Sequence, residues 1–491
     1  MKLLVSFILG VACALGGCSK QVNECHGDSD CKDPAYPFCD VDGEYAASGG
    51  EKNVCTIVPP DCPASRCGCT PGNADSCTAG VAQVCGADGM SETAVTCAAG
   101  CSGDKMGCVA CSPGAGVSCS DNQAIECAAD GMSQRIATCS LGCSSDGTRC
   151  QTFTPSNGLA GALMMATASP DVVLPAGTKI DVDLGTVEDG MGNSIAIPSV
   201  LVPQTNGPNI RAFYAGSFTT QDVTVTGSAA LALVAAGPVT IGGLVDVSGH
   251  AATAGAGAQE SPAACVGADT QTSSCGGTNN TADLGPGGAG HATAGGTGGG
   301  LNMPGEAGGA AFVGFSPLVG GCRGGSFDVG STVLQSGGGG GGAIQLVSLD
   351  SVAMTGNGTL DVGGGGGEGG GGSAGTIVIE APRVQINGAS TGVFANGGAA
   401  GCGTDGDGTL TSQAAQCSGG GAAGAVPGFF PGSGSVCIAG GGVFCASCGS
   451  FYRGGGGASG LARIATKDGT YSVLDGAVIS VGITTGVLVP E

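Results

Sequence analysis

Tryptophan is absent from the 491 residues, aromatic residues make up 4% and charged residues 11%. Ligand and cofactor pockets draw heavily on aromatic side chains, so these shortages argue against a large enzyme pocket. Basic residues are also scarce: 15 Lys and Arg stand against 38 Asp and Glu, a net charge of −23. Such a surface repels phosphate backbones, which excludes nucleic acid as a partner. With only His26, His250 and His291, there is little material for acid–base chemistry near neutral pH. The HExxH, Walker A and calcium-binding nonapeptide motifs are missing too.

Glycine, with 102 residues, and cysteine, with 28, are abundant. So much glycine points first to disorder, but a 42% hydrophobic content and the low charge oppose it. The apolar fraction is Val, Ile, Leu and Ala, the material of closely stacked strands. The cysteines place the mature chain in an oxidising compartment.

Met1-Lys2 followed by an apolar stretch over residues 3–15 reads as a secretory signal, too short to cross a bilayer. Its end, Leu15-Gly16-Gly17-Cys18, resembles the lipobox of bacterial lipoproteins. The resemblance implies removal of residues 1–17, a diacylglyceryl group on Cys18 and attachment to a membrane through that lipid. Ser19 rather than Asp after the cysteine implies the outer membrane, with the protein facing the exterior. Several acyl chains, each contributing about 0.8 kcal/mol per buried CH2, give stable anchoring.

Setting aside Cys13 and Cys18 from the 28 leaves 26 cysteines, an even number suited to disulfides. Cys25, Cys31, Cys39, Cys55, Cys62 and Cys67 form a six-cysteine module within residues 18–68. Its Asp28-Ser29-Asp30-Cys31 and Pro37-Phe38-Cys39-Asp40 resemble the small EGF-like or Dickkopf-like modules of bacterial surface lipoproteins. Two repeats follow, residues 69–110 and 111–150. Cys69, Cys77, Cys85, Cys97, Cys101 and Cys108 recur 42 residues later as Cys111, Cys119, Cys127, Cys139, Cys143 and Cys150. Units this small need cross-links, each worth about 2–4 kcal/mol. Six cysteines allow fifteen pairings, and the spacing does not choose among them.

From residue 151 to 491 short apolar runs alternate with turn residues. A three-strand phrase of about 20 residues occurs four times, beginning at residues 231, 343, 376 and 461. The expected fold is all-β: a right-handed parallel β-helix with long Gly-rich insertions, preceded by the small disulfide-rich modules. Over residues 171–489 the chain resembles glycine-rich, adhesin-like β-helices of bacterial surfaces. Glycines at the corners are expected to supply left-handed dihedrals. Residues 159–168 read as a short helix closing one end of the stack. Two insertions, residues 248–342 and 398–460, carry Cys265, Cys275 and Cys322, and Cys402, Cys417, Cys437, Cys445 and Cys448. Three and five are both odd, so full oxidation requires at least one bridge between the insertions. Cys445-Ala446-Ser447-Cys448 lacks the strand-to-helix setting of a redox motif and reads as structural.

Asp246 and Asp361 occupy the same place in two phrases, with Asp181 as a third equivalent. Carboxylates stacked on one face could bind calcium, the one cofactor the residues suggest, or cleave a polysaccharide. A solvated strand face is the plainer expectation. Phe394 and Ser480 interrupt the series, and His250 and His291 are expected to be exposed spectators. The function expected is a lipid-anchored structural or adhesion protein of the cell surface, not an enzyme, that displays a β-helical body on a disulfide-rich stalk. Its partners would be extracellular polysaccharide or other surface proteins. The alternative is a polysaccharide-binding or polysaccharide-cleaving β-helix.

Overall fold

A computed structural model describes residues 25–26, 30–32, 38–41, 53–56, 74–85, 92–97, 100–101, 108, 117–127, 134–259, 265–271, 284–299, 304–329, 332–401, 407–408, 424 and 454–491. The lipobox and the Cys445–Cys448 pair lie outside these residues. The described chain is all-β apart from one helix, Ala160–Ala166. It divides into two compact units: Met1–Thr138 with Ser145–Arg149, and Cys139–Ser144 with Cys150–Glu491.

In the first unit each repeat builds a small antiparallel sheet. Ala74–Thr78, Val81–Cys85 and Glu92–Thr96 form one, and Val117–Ser120, Gln123–Cys127 and Gln134–Thr138 the other. Each sheet opens with a two-residue hairpin whose central residues both have positive φ: Ala79 and Gly80 in one, Asp121 and Asn122 in the other. That is the turn whose twist matches paired strands. The disulfides include Cys25–Cys39 and Cys31–Cys55, then Cys77–Cys101 and Cys97–Cys108. The 42-residue repeat carries the last of these onto Cys139–Cys150 in the second unit, with the same separation of 11 residues.

The second unit is built on three parallel sheets that the chain visits in turn. In one cycle it runs through Ala230–Ala235, Val239–Ile241 and Leu244–Asp246; the next cycle is Ala343–Ser348, Ser351–Thr355 and Thr359–Asp361. Each strand pairs in parallel with its counterpart in the following cycle, as do the cycles that begin at Thr376–Glu380 and Leu461–Thr466. Side chains consequently stack in columns. Phe213, Leu233, Leu346, Ile379 and Ile464 share one register, and Val223, Val245, Leu360, Val393 and Ile479 another. One core cluster draws on all three sheets.

The sheet containing Ala230–Ala235 is covered on its outer face as well. This explains why Ala230–Ala235 and Ala343–Ser348 are buried throughout, whereas Arg383–Asn387 alternates buried and exposed. The cover is residues 151–168. Phe153 bridges to Pro490 near the end of the last strand, the Ser156 N–H donates to the buried Glu380, and Leu159, Ala162 and Leu163 join the outer cluster with Ala212, Ala230 and Ala232. The helix therefore lies along the outside of a sheet, where an end cap was expected. The apolar face of so short an element is buried equally well in either place, and its sequence does not distinguish them.

The described parts of the glycine-rich insertions are closely packed. Apart from one small sheet of Thr270–Gln271, Phe327–Val329 and Thr332–Gln335 in the first insertion, the described segments hold no ladder. Each instead donates to several neighbours in rotation, with a period of three. In the first insertion residues 287 and 290 donate to residues 268 and 265, and residues 295 and 298 to 309 and 306. In the glycine run between two cycles that packs with the insertions, residues 370 and 373 donate to residues 325 and 322, residues 371 and 374 to 455 and 458, and residues 372 and 375 to 365 and 362. Three residues per turn with no internal hydrogen bond is the geometry of polyproline II, whose N–H and C=O groups must be satisfied laterally. The insertions thus form a bundle of such segments, joined on one side to the sheets. Glycine is required here because a Cβ on Gly371, Gly372 or Gly375 would fall well inside contact distance of a neighbouring carbonyl. The left-handed φ expected at corners is found at Gly227, Gly356, Gly388 and Gly476, whereas residues 363–375 include no glycine with positive φ. One disulfide, Cys265–Cys322, lies within the first insertion. The bridge expected between insertions falls on Cys275, Cys402, Cys417, Cys437, Cys445 and Cys448, all outside the described residues.

Candidate functional site

Asp246 ends its strand, and the chain then turns sharply into the first insertion. The turn is local chemistry: Asp246 Oδ1 accepts from the Ser248 N–H at 3.0 Å and the Ser248 hydroxyl at 2.6 Å. Asp361 does the same one cycle later, accepting from the Gly363 N–H at 2.8 Å. Asp181 accepts from the Asp183 N–H at 3.0 Å. All three aspartates therefore cap corners, each bonding the backbone two residues on. That shared duty accounts for their recurrence without a ladder.

The register separates them as well. Asp246 and Asp361 are partners, followed by Phe394. Asp181 pairs with Thr226, whereas Thr224 pairs with Asp246, so Asp181 sits two positions out of line. The three-carboxylate arrangement is corrected to a pair.

That pair has company that the spacing of strands did not reveal. His250 Nε2 lies 3.1 Å from Asp246 Oδ2, and Nδ1 lies 3.3 Å from Asp407 Oδ2 in the second insertion. Asp407 Oδ1 also accepts the N–H groups of Ala251 and Gly366, at 2.8 and 2.7 Å. His250 is exposed, as expected, but it is no spectator, since it pairs with two carboxylates. A signal for half of this pairing was present: Asp246 and His250 are four residues apart across a turn. Nothing local points to Asp407, 157 residues away from its partner.

The charges follow from the geometry. Hydrogen bonds that its ring donates to Asp246 and Asp407 push His250 up to about 10, so the ring is an imidazolium. Burial alone would raise Asp246, but hydrogen bonds from His250 and Ser248 hold it below the usual carboxylate range. Asp361 is buried, which pushes it up to about 7 against the pull of the Gly363 N–H.

Ser248 Oγ stands 3.2 Å from His250 Nε2. With Asp407 on the other ring nitrogen, this is the connectivity of a hydrolase triad. Its chemistry is blocked here. Asp246 occupies the same nitrogen, a doubly protonated ring cannot accept the serine proton, and Ser248 is buried with its hydroxyl given to Asp246. The cluster is a charge knot that ties a strand end to both insertions. Its carboxylates face an imidazolium and do not form an open cage for calcium. Among the described residues, the groups of ligand atoms close enough to share an ion are cysteines, and these are engaged in disulfides.

His291, also expected to be an exposed spectator, is not exposed. It is buried in the bundle, with Nδ1 donating to the Ala374 carbonyl and Nε2 facing the Thr376 hydroxyl at 3.3 Å. Burial drives it down to about 4, so it is neutral. His26 is exposed, and its backbone N–H donates to Asp30.

A groove lies elsewhere on this unit. It is open, about 470 Å3, and lined by Asn206, Gly207, Pro208, Gly227, Ser228, Ala254, Gly255, Ala258 and Gln259. None of the stacked aspartates reaches it. No protein-family model, curated protein or solved structure matches this chain.

Proposed function

We propose that this protein is a lipid-anchored structural or adhesion protein of the outer cell surface, held through Cys18, whose disulfide-rich modules display the body formed by residues 151–491. We read the three sheets as a right-handed parallel β-helix. Strand pairing between successive cycles supports the helix, and the hand follows from the rule that parallel crossovers are right-handed in about 98% of cases. The observation that carries the functional reading is the use made of the polar groups. The aligned carboxylates cap corners and neutralise His250, and the glycine-rich backbone is consumed in holding segments together. Such a body presents a rigid surface with an acidic exterior, which suits display and not turnover.

The anchoring is tested by palmitate labelling and membrane fractionation in a bacterial host that processes lipoproteins. The wild-type chain should carry label and sediment with outer membranes, and Cys18→Ser should lose both. Label that survives Cys18→Ser would overturn the anchor.

The groove at residues 206–208, 227–228 and 254–259 favours a second reading, a polysaccharide-binding body. Cleavage is disfavoured because the carboxylates that would perform it are committed to corners away from the groove.

A further inference from the structure

The groove is uncharged in a chain of net charge −23. Its polar lining consists of two side-chain amides, Asn206 and Gln259, the Ser228 hydroxyl and the backbone of three glycines; Pro208, Ala254 and Ala258 supply apolar surface. Among the described residues neither amide has a hydrogen-bond partner, so each has donors and an acceptor to offer. Ser228, by contrast, is fixed: its N–H and hydroxyl both bond Asp183.

The walls are held from behind. Gln204 bonds the Pro208 carbonyl at 2.7 Å and the Leu318 backbone on both sides of its amide. On the opposite wall the Gly255 N–H donates to Gly340 and the Gln259 N–H to Gly321, each at 2.8 Å. A ligand would meet a preformed surface and incur little ordering cost. The volume lies in the range of small-ligand sites.

We propose that this groove binds a neutral sugar residue of a polysaccharide, with Asn206 and Gln259 exchanging hydrogen bonds with its hydroxyls and Pro208 packing against its ring. The class follows from charge. Uronate or sulfated sugars would need a cation, and the lining has none, while Asp183 stands behind Ser228. A cationic sugar would need a carboxylate in the groove, and none lines it. Hydroxyl groups on a neutral ring match free amides.

The inference rests on the polysaccharide-binding reading, and the test separates the two. Affinity electrophoresis of the full chain is run through gels containing a neutral glucan, a neutral galactomannan or polygalacturonate. The expected result is retardation by at least one neutral polymer and none by polygalacturonate. Asn206→Ala and Gln259→Ala should each weaken retardation about fivefold, and the double variant should abolish it. Asn206 is exposed and Gln259 partly so, and an unchanged melting temperature confirms that the variants fold. Retardation that persists in the double variant overturns the groove while leaving polysaccharide binding standing. Stronger retardation by polygalacturonate overturns the neutral class. No retardation by any of the three polymers overturns both.

Discussion

The sheets and the glycine bundle of the second unit are packed with similar closeness by opposite means. In the sheets, side chains fill the space: Leu346, Ile379 and their neighbours are fully buried in columns between strands. In the bundle there are almost no side chains, and backbones touch directly through hydrogen bonds that rotate among neighbours. One region is thus sensitive to the loss of atoms and the other to their gain. Burial of apolar area drives the first. The second depends on satisfying every buried N–H and C=O at once.

Substitutions can break this contrast. Leu346→Ala should produce the largest loss, about 2–5 kcal/mol in chemical denaturation, because the column above and below cannot collapse into the space. A loss below about 1 kcal/mol would show the sheet core to be loosely packed.

The two regions should also differ in the sign of their response to pH. Asp361, at a strand corner and facing Asp246, His250 and Asp407, titrates near 7 when folded against about 3.8 when unfolded. Its contribution to stability therefore falls as pH rises from about 4 to 7. His291 sits in the bundle beside Ala374, Thr376 and Phe312, and titrates near 4 against about 6.5 unfolded. Its contribution rises over about pH 4 to 6.5. The opposing slopes are each on the order of 3 kcal/mol across that window. Asp361→Asn should leave stability rising with pH, and His291→Gln should leave it falling. Melting temperatures at pH 4.5 and 6.5 decide the matter, and slopes of the same sign in both variants would sink the assignment.

Gly371→Ala tests the bundle itself. A methyl group there meets the Gly398 carbonyl, which is backbone and cannot swing away. The expected cost is about 1–3 kcal/mol, seen as faster amide exchange in the segments around residues 371, 398 and 455. The smallest effect has the opposite sign. Gly161, inside the helix and with nothing within 4 Å of a Cβ, should gain up to about 1 kcal/mol on replacement by Ala.

How much of this could be read beforehand follows from the same contrast. The strand cycles were legible because apolar residues repeat at fixed spacing: all four phrases fall on strands of the three sheets. The bundle was not, because interior segments touch neighbours on every side and need consecutive glycines with no period at all. A period survives only at the rim. Ala294 and Thr297 are exposed, as are Pro304, Ala307, Ala310 and Val313 at every third position, with Ala311 added to them. That spacing was a usable signal for polyproline II, and it was masked by the poly-Gly runs around it. At the charge knot, Asp246 and Asp361 were visible as a recurring pair, but their role as corner caps was not, since a carboxylate reads alike in a ladder and in a turn. Asp407 was beyond reach because only the folded bundle brings it to His250.

The cover over the outer sheet has a consequence for the order of assembly. Thr152 and Phe153 are joined to Pro490 and Glu491 by backbone hydrogen bonds and a strand bridge, so the segment that opens the body is completed only by residues 490 and 491. Until residue 490 emerges, Phe153 lacks its bridge, and the apolar outer surface of Ala230–Ala235 is under an unfinished lid. The body therefore cannot reach its final state cycle by cycle as it is made, and its folding should close in a single late step.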